Sequence, residues 1–175
     1  VTMDASLSQV LAEIDVWVGR GKAPTRHHAR GVLIGLGDAL LENRADLEAE
    51  AFARVAVWIE RKPDAWREAF AGEIALAATE HVRSADPRWL GNPKYDLAYT
   101  VEARHRLEAR LACAEHLGIE VAEDLLEAVA RADAVLAPYL GGSAPVSARV
   151  GNAMLECGFL NSIWIKPLFV IHGAR

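Results

Sequence analysis

The sequence predicts an all-α fold: an antiparallel bundle of about six main helices, then a short C-terminal helix and an extended apolar tail. Three observations predict it. Apolar residues recur at spacings of three and four along most of the chain as far as Tyr139. Glycine and proline interrupt these runs where helices should stop, at Gly19, Gly21, Pro63, Pro93, Gly118 and Gly141. The longest unbroken helical pattern, Tyr95 to Leu117, is bounded by Asn92-Pro93 on one side and Gly118 on the other.

Taken in order, Asp4 or Ser6 caps a first helix over about Leu7–Val18, with Leu7, Val10, Leu11, Ile14 and Trp17 or Val18 as its buried stripe. Thr25 is the N-cap of a second helix, Arg26 to about Asn43. Its small residues, Ala29, Gly31, Gly35 and Ala39, predict a tight crossing with another helix. The alternative for 31–37 is a strand, because short apolar runs are ambiguous. A third helix covers about Ala45–Arg61, with Leu47, Ala51, Val55, Trp58 and Ile59 inward, and Pro63 breaks it. Asp64 suits the first turn of a fourth helix, which runs to about Val82 and carries Trp66, Phe70, Glu73, Ala77 and Glu80 on one face. Ser84–Lys94 reads as a loop. Helices over Tyr95–Leu117 and about Val121–Tyr139 form a hairpin across Gly118, a left-handed C-cap.

Gly141 to Pro145 is the clearest boundary, so residues 1–140 are read as the bundle and 141–175 as a helix (Val146–Cys157) and tail packed on it. No repeat of fixed period is present.

Composition narrows the class. The 175 residues suffice for one core of ordinary size. Hydrophobic residues make up 52%, but much of that is alanine, and no apolar run is long enough to span a membrane. The first ten residues lack the pattern of a secretory signal. Cys113 and Cys157 form no CxxC pair, and a reducing, cytoplasmic setting is expected. A net charge of −5 argues against nonspecific attachment to nucleic acid or anionic lipid.

Three groups of residues could carry chemistry. Glu102 and His105 form an ExxH pair, whose side chains project together from a helix and can share one metal ion. They lie on an alanine-rich strip (Ala98, Ala109, Ala112) beside the core stripe of Leu97, Val101, Leu107 and Leu111. The pair resembles, in part, the di-metal helical bundles of the ferritin-like type, with Glu73 and Glu80 as the further carboxylates and a divalent metal as cofactor. The second ExxH of that pattern is missing. His116 cannot replace it, being about 16 Å from His105 along the helix.

The second group is the basic turn around the second helix N-terminus. Arg20 and Lys22 precede it, and Arg26, His27, His28 and Arg30 would draw a phosphate or carboxylate to its unpaired N–H groups. The third is the segment from Val146 to Phe159, whose R-x-x-N order at Arg149 and Asn152 resembles the first hairpin of the C-terminal domain of the bacterial RNA polymerase alpha subunit. The resemblance implies DNA contact through these two residues. It covers less than a tenth of the chain and ends after Phe159.

The function read from the sequence is a small helical binding or protein-interaction protein that forms a homo-oligomer or binds another protein. The smooth second helix and the apolar tail are its expected contact surfaces. A metal-dependent enzyme built on Glu80, Glu102 and His105 is the alternative, and DNA binding ranks below both.

Overall fold

The computed structural model describes residues 5–46, 48–92, 94 and 97–141. The C-terminal helix, the tail, and with them Arg149 and Asn152, lie outside the described residues. Within them the fold is all-α, with seven helices and no strand. These are α1 (Ala5–Gly19), α2 (Arg26–Leu41), α3 (Ala49–Arg61), α4 (Pro63–Ser84), α5 (Pro87–Leu90), α6 (Leu97–His116) and α7 (Glu123–Gly141). Among the described residues no helix is long and apolar enough to cross a membrane.

The signals at the helix ends act as expected in most places. Thr25 caps α2 with extended backbone angles and a side chain that accepts from the His28 amide. Gly21 and Gly118 take positive φ values of 69° and 66° just past α1 and α6, where a β-carbon would be strained. Some details differ from or refine the sequence reading. Helix α3 starts at Ala49, not Ala45, because Asn43 turns the chain left-handed (φ 56°) and Arg44 reaches forward to Glu48. Pro63 ends α3 as expected and is itself the first residue of α4, since the N–H it lacks has no partner in a first helical turn. The loop Ser84–Lys94 contains α5, started by Asp86, which accepts from the Arg88 amide, and by Pro87 at the first helical position.

The helices divide into two compact units. One unit contains α1, α2, α3, α4 up to Leu76, and α6 from Ala109 onward. Its core includes Leu11, Ile14, Leu33, Leu36 and Phe70. Trp58 stacks nearly parallel on Trp66 at 6.2 Å between ring centroids, and Trp66 lies 5.2 Å from Phe70. Residues 31–37 are helical, and their glycines are what allow α2 to sit so close to its neighbours. A Cβ on Gly31 would come within 2.5 Å of Val10, and one on Gly35 within 2.6 Å of Leu7. A Cβ on Gly37 would overlap the backbone carbonyl of Ala109 in α6. The small face of α2 is therefore covered from within the unit, by α1 and by α6.

The other unit contains α4 from Ala77, α5, α6 up to Glu108, and α7. Leu90, Leu97, Val101, Leu107, Val129 and Leu136 are buried there. Thr100, also buried, donates its hydroxyl to the Ser84 carbonyl at 3.1 Å and ties α6 to the end of α4.

Candidate functional site

The polar groups that stand out are buried ones. In the first unit Glu73 of α4 is 3% exposed, on the same inward face as Trp66 and Phe70. Its Oε1 accepts from Nη2 of the buried Arg110 at 2.9 Å, and Nε of Arg30 lies 3.4 Å from the same oxygen. A buried carboxylate is tolerated only when such partners replace its water. Glu73 is thus occupied in joining α4, α6 and α2.

In the second unit His81 of α4 is fully buried. Its Nε2–H donates to Asp133 Oδ1 of α7 at 2.7 Å. Arg104 of α6 donates from Nε to both oxygens of Asp133, at 2.9 and 3.0 Å, and from Nη1 to Glu108 at 2.6 Å. Burial disfavours the Asp133 anion, but the hydrogen bond from His81 and the charge and hydrogen bonds of Arg104 outweigh it. The carboxyl is held below its ordinary 3.8.

An imidazole oriented by a carboxylate is a component of acid–base sites. Here the remaining nitrogen, Nδ1, has no partner among the described residues, but no surface of His81 reaches solvent. A substrate cannot approach it, so the cluster serves as an internal tie between α4, α6 and α7. It has a pH consequence. Because the folded value is depressed, the stability Asp133 contributes is complete above its unfolded pKa near 3.8 and is lost as the pH falls through the folded value. Asp133→Asn is expected to flatten the acid limb of a stability–pH profile measured by urea unfolding. An unchanged acid limb would show that Asp133 is not held in this way.

The proposed metal ligands are placed as follows. Glu73 belongs to the first unit, and Glu80, Glu102 and His105 to the second. Glu73 is held by Arg110 and Arg30 as described. Glu80 accepts from the Tyr99 hydroxyl at 3.0 Å. Glu102 pairs with Arg106 one turn on. His105 is half-buried. Among the described residues no group of three or more His, Cys, Asp or Glu side chains is arranged to hold a metal ion.

The basic turn is also split by the fold. Arg26 lays its stem over Gly72, and Arg30 points toward Glu73. Lys22 sits 4.3 Å above the Trp17 ring, and the Trp17 indole donates to the Ala23 carbonyl at 2.6 Å. His27 is exposed. His28 is 3% exposed and turned inward, its ring 5.2 Å from that of Trp17. A cleft of about 200 Å³ along α1 and α2 is lined by Leu7, Val10, Ile34 and the α2 glycines, with His27, Arg30 and Asp38 also on its wall.

The first unit also carries an open apolar groove of about 440 Å³ between α3 and the end of α6. Phe52, Ala53, Ala56, Ile59 and Leu117 line it, with Glu60 and His116 as its polar members. The His116 ring packs on Phe52 at 4.5 Å. Val57, beside it, is 44% exposed, and the lining residues Ala53 and Ala56 also face solvent. Cys113 is buried, and burial pushes its thiol up to about 12, which leaves it protonated and inert at neutral pH.

No protein-family model, curated protein or solved structure matches the chain.

Proposed function

We propose that the protein is a self-associating interaction module, and that the first unit's α3 face is where a second copy docks. The observation that supports this reading is contiguity. Exposed single apolar residues are ordinary on a protein surface. Here Ala53, Ala56 and Val57 fall at helical spacing on one side of α3 and run directly into the groove lined by Phe52, Ile59 and Leu117. Two alanines at that spacing allow a second helix to come close.

Charge favours a second copy as the occupant. Helix α3 carries Glu50 in its first turn and Arg61 in its last. A two-fold axis between residues 56 and 57 would lay one α3 antiparallel on the other, with each Glu50 near the partner copy's basic end. The same pairing carries Glu60 of one copy toward residue 53 of the other, next to the His116 that packs on Phe52. The charge pattern thus supports a self-complementary contact.

The smooth face of α2 does not contribute to this reading, because α1 and α6 already cover it. Sedimentation velocity over a wide concentration range tests the proposal. A reversible dimer is expected, and Val57→Asp should shift it to monomer with unchanged circular dichroism, because two carboxylates would then meet at the axis. A wild-type protein that stays monomeric at high concentration sinks the proposal. So does a dimer indifferent to Val57→Asp, or a monomer whose α3 face takes a foreign helix instead.

A further inference from the structure

His28 occupies an unusual place. It is the third residue of α2, where a glutamate or glutamine closes the reciprocal hydrogen-bond pair of a capping box. Here the imidazole fills that role. The Thr25 amide donates to His28 Nδ1 at 3.2 Å, while the His28 amide donates to Thr25 Oγ1 at 3.4 Å. A glutamate or glutamine oxygen keeps a lone pair near neutral pH. An imidazole nitrogen keeps one only while it is unprotonated.

We propose that His28 makes the start of α2 an acid-sensitive closure: Nδ1 accepts from the Thr25 amide only while it carries a lone pair, and protonation turns it into a donor toward Thr25 Oγ1, 3.3 Å away, which frees the Thr25 amide.

The surroundings set the direction of the balance. On α1, Glu13 faces the other ring nitrogen, with Oε1 3.7 Å from Nε2, and favours the cation. The same helix presents Trp17, whose ring carries Lys22 from the connecting turn. On α2 itself, the His27 ring is 6.1 Å away, and the positive end of the helix dipole disfavours a second positive charge. Burial is the largest influence and acts against the cation, Glu13 opposes it, and His27 adds to it, leaving His28 below its ordinary 6.5. The closure is therefore complete above about pH 6.5 and opens as the pH falls through the folded value. Its consequence is local: the Thr25 amide, where the Arg20–Thr25 turn joins α2, loses its acceptor as the pH falls through the folded value. This inference stands apart from the α3 contact.

Nitrogen-15 NMR of the His28 ring and hydrogen exchange at the Thr25 amide test it in the intact protein, titrated from pH 7.5 to pH 4.5. At neutral pH the ring proton is expected on Nε2, with Nδ1 bare. As the ring protonates, the Thr25 protection factor should fall by about tenfold, the equivalent of a lost cap. His28→Gln keeps a capping-box side chain that does not titrate, so its Thr25 protection should stay constant over the same range. The proposal is overturned by a proton on Nδ1 at neutral pH, by ring protonation that leaves Thr25 protection unchanged, or by an equal loss in H28Q. If H28Q does not fold, the wild-type titration decides alone.

Discussion

Gly37→Ala should lower the unfolding free energy by about 3 kcal/mol, the upper range for forcing a group into a packed interior. The new methyl would overlap the backbone carbonyl of Ala109, and neither helix can give way there without moving its own backbone. Gly31→Ala and Gly35→Ala are the controls. The nearest atoms to their methyls belong to the side chains of Val10 and Leu7, not to backbone. Those side chains can rotate, and alanine regains about 1 kcal/mol of helix propensity over glycine. Urea unfolding of the three variants is expected to place G37A far below the other two. If G37A unfolds with G35A, α2 and α6 do not approach as closely as described.

Removing either member of the buried pair Glu73–Arg110 is the second large effect. Arg110→Met should leave a buried carboxylate without its nearest cation, and Glu73→Leu should leave two guanidinium groups without the oxygen on which they converge. Breaking a buried pair from one side costs roughly 3–5 kcal/mol. The double variant should be markedly more stable than the sum of the two losses predicts, because two apolar residues of similar size replace the pair. Arg30→Ala should cost well under ~1 kcal/mol, since that arginine is half exposed and screened by water. Strict additivity in the Glu73/Arg110 double-mutant cycle would show that the two side chains are not coupled.

How much of this was legible in the sequence can be read from α4 and α6. The inward stripe of α4 was visible as Trp66, Phe70, Glu73 and Ala77, and Glu73 does lie on the buried face. The same reading continued the stripe to Glu80, three residues past Ala77. The fold puts His81 inside and leaves Glu80 half-buried. On α6, Leu97, Val101 and Leu107 are buried as their spacing indicates. Arg104 and Arg110 are buried beside them, which spacing does not indicate, because arginine is a surface residue unless a partner satisfies its charge. Those partners are Asp133 and Glu73, 29 and 37 residues away in the chain. The faint available signal was that Arg104, three residues from both Val101 and Leu107, falls within the apolar arc of the helix.

The candidate sites followed the same rule. Glu102 and His105 share a face by helical geometry alone, but a metal site needs ligands from a second element, and spacing within one helix cannot supply them. The basic residues near α2 are clustered in sequence, yet each side chain takes its own direction. Arg30 turns toward Glu73, Arg26 lies over Gly72, and His28 turns inward to complete the cap.

By itself, the sequence determined the helical class, most helix ends and the apolar stripes, because these depend on residues three or four apart and on local capping chemistry. Only the tertiary structure decided which helix covers the glycines of α2, which carboxylate receives each buried arginine, and that His28 is a cap. Those outcomes depend on groups brought together from distant parts of the chain, and no short-range pattern encodes them.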